Sequence, residues 1–190
     1  MAEKSLDYYR IAAICKTQGF EADDVFKKSM LLFDAFRNEK FLRNNVEQPV
    51  MTDKEKMEHL NKVRYKILDL FWRPMKQNIE DMRAFINYAI TSPLVDDRID
   101  LALEEIALFR DIGQIYRKLL ETYYFKAKFE NDNDRMAACG LSRSRFYARR
   151  EEAVTLFGII MWSMAKRKEY EYMAKGMIQC HPIFPFDAND

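Results

Sequence analysis

Four arginines, Arg143, Arg145, Arg149 and Arg150, stand between Ser142 and Arg150 with no acid among them. Elsewhere the charges nearly cancel, with 31 Lys+Arg against 30 Asp+Glu, so the local excess stands out. A guanidinium presents a planar fork of donors that fits phosphate oxygens and the guanine edge bidentately. Around them Ser142, Ser144 and Tyr147 bring hydroxyls. Ala148 is small enough for close backbone approach or a thymine methyl, and Glu151 offers an acceptor for a cytosine amino group. The chemistry on offer is recognition of double-stranded DNA. The plainer reading is a solvated helix face on which Glu152, one turn beyond Arg149, pairs with it.

Nothing comparable points to catalysis. GxSxG, Walker, HExxH and GxGxxG patterns are all absent. His59 lies alone in a helical run and His181 precedes Pro182, each without a partner nearby in sequence. Cys15, Cys139 and Cys180 are scattered and form no CxxC pair, which argues against a disulfide or zinc module and for a reducing compartment. The expectation is a cytoplasmic protein that is not an enzyme and carries neither cofactor nor metal. No apolar window is long enough to span a bilayer, and MAEKSLDYYR lacks the apolar stretch of a secretory signal.

The elements that must hold these residues read as helices. Apolar residues make up 48% of the chain, against 5 Gly and 5 Pro, which leaves too few breakers for a sandwich or barrel. A helix is expected over residues 6–17, with Leu6, Tyr9, Ala13 and Ile14 inward and Gly19 ending it. A second is expected over 22–42, with Val25, Phe26, Met30, Phe33 and Phe36 on one side. Residues 44–49 read as a loop. Thr52 and Glu55 form a capping box opening a third helix, whose inner residues are Met57, Leu60, Val63, Ile67 and Leu70. Pro74 kinks that helix or starts another, whose pattern runs from Met75 to Ala89 and stops at Ser92-Pro93. From Asp96 a single stripe steps through Ile99, Leu103, Ile106, Phe109, Ile112, Tyr116, Leu119 and Tyr123, weakened slightly by Gly113.

Past the polar run from Glu130 to Asp134, the chain has the logic of a helix-turn-helix. Asp132 or Asp134 caps a short helix ending at Cys139. Gly140 turns with positive φ, and Ser142 caps a long helix reaching about Lys168. Phe146, Ala153, Phe157 and Ile160 face inward, leaving Ser144, Tyr147, Ala148 and Glu151 outward, as a major-groove helix requires. Ser142, Arg143, Ser144 and Tyr147 are expected at bases or phosphates, and Arg145, Arg149 and Arg150 on the backbone.

The lead-in Ile115-Tyr116-Arg-Lys-Leu-Leu120-Glu-Thr-Tyr123-Tyr124-Phe125, the turn Gly140-Leu141-Ser142 and the spacing of Phe146, Ala153 and Phe157 resemble region 4 of sigma-70-type factors. Phe146-Tyr147 followed by Ala148-Arg-Arg-Glu-Glu-Ala153 is closer still to phage late-gene activators of the ArpU/RinA type. Arg135-Met136 fall where that family carries an aliphatic-Ala pair, and Cys139 falls on its Leu. The resemblance implies a sequence-specific, phage- or mobile-element-derived transcription regulator, and contact with RNA polymerase and a homo-oligomer are both compatible with it. Two alternatives remain open: a helical interaction or assembly module, and a packaging protein like the small terminase.

The overall expectation is an all-α protein with a C-terminal helix-turn-helix. It divides into a helical region at 1–92, the sigma-like region at 93–178 and a Pro-containing tail at 179–190. In the first region, Tyr8, Tyr9, Phe33, Phe36, Phe71 and Trp72 read as core, with Phe71-Trp72-Arg73 as an alternative partner-binding knob. The methionines from Met161 to Met177 read as core filler. The tail reads as packed along the body or docked extended on a partner.

Overall fold

The computed structural model describes residues 4–43, 51–73, 94–125 and 131–177, with side chains omitted for 34–43 and 94–96. The expectations for Phe36, the loop at 44–49, the helix after Pro74, Glu130, Cys180, His181 and the tail fall outside the described residues. Those described form an all-α structure of seven α-helices with no strand. They are α1 (Leu6–Thr17), α2 (Ala22–Arg43), α3 (Asp53–Trp72), α4 (Leu94–Ala107), α5 (Gly113–Leu120), α6 (Asp132–Cys139) and α7 (Arg143–Ala174). A 3-10 turn, Arg110–Ile112, precedes α5, and a π-helical turn, Glu121–Phe125, extends it. None of the described helices is long and apolar enough to cross a membrane.

Local chemistry sets the helix ends. Ser5 accepts from the Tyr8 amide to start α1, and Thr52 with Glu55 forms the expected capping box for α3. α3 stops at Trp72, two residues ahead of Pro74, whose ring disfavours helical backbone in the residue before it. α1, α6 and α7 all close on left-handed glycines, Gly19, Gly140 and Gly176. In each, the glycine amide and the next one reach back to carbonyls of the last turn, as in Gly140 N–H to Ala137 and Leu141 N–H to Met136 (3.0 and 3.1 Å).

α7 is the axis of the fold. It runs for 32 residues, about 48 Å at 1.5 Å per residue, and α1 to α6 all pack against it. One continuous core takes Ile11, Val25, Leu32, Phe33, Ile67 and Phe71 from the first half and Ile106, Tyr116, Ala153, Phe157 and Trp162 from the second. Described residues from both halves of the chain therefore contribute to one core. Gly158 permits the closest approach, since a Cβ there would overlap Ser29 Oγ of α2 and lie 3.2 Å from the Phe71 ring. Lys28 is buried beside this contact, donating to the Phe71 carbonyl (2.6 Å) at the end of α3 and pairing with Asp24 (2.7 Å). Of the supposed knob, Phe71 is core, Trp72 is half-exposed against Phe20, and Arg73 pairs with Asp69. Met161 and Trp162 fill core as expected, whereas Met177 is exposed.

Three details differ from expectation. α1 has the expected bounds but turns the other way: Ile11 and Cys15 are buried, with Tyr8 and Ala12 packed beside them, while Leu6, Tyr9 and Ile14 are exposed. Both faces of α1 carry apolar residues, so spacing alone picks no winner, and contact with α2 and α7 decides. The stripe from Asp96 to Tyr123 is two helices, because the chain breaks after Ala107 and passes Arg110 at φ 49° before α5. Gly113 is required there. A Cβ would come within 2.4 Å of the Ile106 carbonyl oxygen and 2.7 Å of that of Ala107. The cap of α6 is Asn131, which accepts from the Asp134 amide (3.0 Å), in place of Asp132 or Asp134.

Candidate nucleic-acid interface

α6 and α7 are joined by Gly140-Leu141-Ser142, with Gly140 at φ 66° and ψ 31° as the turn requires. Ser142 occupies the position before α7, in extended conformation, but its side chain makes no capping bond. The first-turn amides of α7 therefore have no side-chain acceptor from Ser142, and the positive end of the helix dipole is uncapped there.

The expected site residues divide into two groups. Ser142, Arg143, Ser144, Arg145, Tyr147 and Ala148 are exposed, over the first two turns of the helix. Phe146 points the other way, is fully buried, and packs against the Tyr123 ring at 6.2 Å between centroids. This is the inward-outward split that the spacing predicts.

Arg149 and Arg150 turn inward. Arg149 donates to Glu152 (2.8 Å), Asp7 (3.0 Å) and the Tyr116 hydroxyl (3.3 Å). Glu152 is only 2% exposed and also accepts from Tyr116 (2.7 Å) and Ser5. These bonds tie α1, α5 and α7 together at one polar knot. Burial works against the charged form of Arg149, but the Glu152 contact overrides it and raises its pKa, while burial and the bond to Glu152 push the Tyr116 hydroxyl up as well. The Arg149–Glu152 pair weighed for a solvated face is thus present, and it is interior. Arg150 donates to the Tyr124 hydroxyl (3.1 Å) and lies over the Tyr123 ring at 4.4 Å. Both arginines meet protein partners where phosphates were expected. Glu151, expected outward, pairs with Lys4 ahead of α1.

A second network fixes α6 against α7. The Tyr147 hydroxyl donates to Asp132 (3.0 Å), which also accepts from Arg135 (2.8 Å). Arg135 lies over the face of Tyr123 at 4.7 Å, so that ring interacts with both Arg135 and Arg150. Burial alone would raise the pKa of Asp132, but the bonds from Arg135 and Tyr147 outweigh it and hold the carboxyl below its usual range. Its charge is spent on these partners. The same bond to Asp132, with some burial, raises the Tyr147 hydroxyl above the usual phenol value.

Farther along α7, in the central core, Phe33 stacks on Tyr124 with centroids 3.9 Å apart and meets Phe157 at 4.6 Å. Under the exposed turns themselves, buried Phe146 on the Tyr123 ring is the aromatic anchor. Sequence spacing does not reveal the partners Asp7, Tyr116, Tyr123 and Tyr124, because one lies in α1 and the other three in α5 and its π-helical extension, and short-range pattern does not show that either segment packs on α7. Among the described residues, no group of acids, histidines and cysteines is placed to hold a metal ion. Comparison with known proteins finds no matching family model, no matching curated protein and no matching solved structure.

Proposed function

We propose that the chain is a sequence-specific double-stranded DNA-binding protein, a transcriptional regulator reading the major groove with the first two turns of α7. The observation that carries this reading is the exposed set Arg143, Arg145 and Tyr147, with Ser142 and Ser144, at an uncapped helix N-terminus anchored from below by buried Phe146. Backbone amides and the helix dipole at such an end favour phosphate. Arg143 and Tyr147 are the base-reading candidates, and Arg145 is the phosphate contact. Arg149 and Arg150 support the site from inside.

Selection from a random duplex library followed by binding at several salt concentrations tests this. Affinity should fall with salt at a slope of about −0.9 per phosphate contact, and Arg145→Ala should remove about one such contact. Arg143→Ala should relax base preference at one position, by about 1–3 kcal/mol. A folded protein that binds no duplex at low salt, or one whose affinity ignores both arginines, refutes the proposal and favours a protein-interaction module.

A further inference from the structure

Away from the arginine end, α3, α4 and α7 line a mainly apolar recess that is open to solvent and has a cavity volume of about 50 Å³. Val63, Ile67, Met161 and Met164 give it apolar walls, and Arg64 lines it from α3. Arg64 is only 5% exposed, yet Nε and both terminal nitrogens have no hydrogen-bond partner, and among the described residues it makes no ion pair. Among the described residues, what faces it is the rings of Tyr65 and Tyr172, at 4.5 and 5.2 Å. A buried guanidinium with five unused donors carries a large desolvation cost. Arg98 and Lys168, the latter paired with Glu171, also line the recess, and among the described residues no acid does. Asn61 presents a buried side-chain oxygen without a donor in the same wall.

The geometry points to a binding site for a small amphipathic anion, an apolar body bearing a carboxylate that accepts the Arg64 fork bidentately. The carboxylate supplies the acceptors that Arg64 lacks, and the body replaces water against the methionines and aliphatic residues. The site does not depend on the DNA reading, since it lies elsewhere on α7 and its test uses no nucleic acid.

Decanoate and 1-naphthylacetate serve as probes, with acetate as charge without body and decan-1-ol as body without charge. Binding is read by titration calorimetry and by the ligand-dependent rise in Tm. One of the two amphipathic anions should bind saturably at one site, at least tenfold tighter than either control. Arg64→Met should weaken that binding at least tenfold while leaving the unliganded Tm unchanged or higher, because the methionine removes an unsatisfied charge and keeps the volume. Met164→Trp, which fills the recess and leaves the charge in place, should block binding too. Equal binding to wild type and Arg64→Met, equal binding of decan-1-ol, or no saturable binding of either anion overturns the assignment. A large loss of Tm in Arg64→Met also overturns it, since that outcome makes Arg64 a packing element.

Discussion

Replacing Arg149 by alanine separates an interior role for this arginine from a phosphate-binding one. The substitution leaves Glu152, whose side chain is 3% exposed, without its cation, and removes the links to Asp7 and Tyr116. Breaking a buried pair by deleting one partner costs about 3–5 kcal/mol. Water reaches the Arg149 side chain, which is 24% exposed, so the lower end applies, about 3 kcal/mol. For a chain of this length that is a fall in Tm of about 6–12 °C. Arg145→Ala, at an exposed site, should stay within about 0.5 kcal/mol of wild type. Adding Glu152→Gln to Arg149→Ala should recover part of the loss, because the uncompensated charge is then gone. Calorimetry or urea unfolding followed by circular dichroism measures all three. If Arg149→Ala is as mild as Arg145→Ala, or if the folded variant loses about 0.9 of salt slope on DNA, the arginine serves phosphate and the interior reading fails.

Gly113→Ala should destabilise by about 1–3 kcal/mol in urea unfolding, against the usual gain of about 1 kcal/mol for Ala in a helix, since its Cβ meets two carbonyl oxygens of α4. Gly140→Ala meets no neighbour but inherits φ 66°, so it should cost about 1–2 kcal/mol from backbone strain and loosen α6 from α7, measured as faster amide exchange in α6. The lowered pKa of Asp132 makes its contribution full above the usual carboxylate value and lost as pH falls through the folded one. Asp132→Asn should accordingly be less stable than wild type at neutral pH, and the two Tm curves should converge below about pH 4. Cys15 is fully buried and burial pushes its thiol up to about 12, so its peptide should remain unlabelled by a thiol reagent in mass spectrometry until the protein unfolds.

Legibility in the sequence followed the range of the interactions. The bounds of α1, the capping box at Thr52 and Glu55 and the turn at Gly140 were readable because each is decided within a few residues. The outward face of Ser144, Tyr147 and Ala148 was readable because Phe146, Ala153 and Phe157 fix the phase of one helix. The inner face of α1 was not, since Leu6-Tyr9 and Ile11-Cys15 are equally plausible until α2 and α7 are in place. The break after Ala107 was hidden for a related reason: both halves of the stripe feed the same core, so period three-and-four spacing survives a change of direction. Gly113 was the one local clue, legible only as a close approach. The inward turn of Arg149 and Arg150 depends on Asp7, Tyr116, Tyr123 and Tyr124, and short-range pattern does not show which of several arginines will find such partners.

The length of α7 between its buried anchors has a mechanical consequence. Phe146 and Phe157 are about three full turns apart and both are locked, one under the exposed end and one in the central core. The helix thereby works as a keyed shaft, whose number of residues sets the angle at which Arg143 and Arg145 leave the body. Inserting or deleting one residue between the two phenylalanines would swing that end by about 100°, breaking the Tyr147–Asp132 bond and the seat of Phe146 on Tyr123.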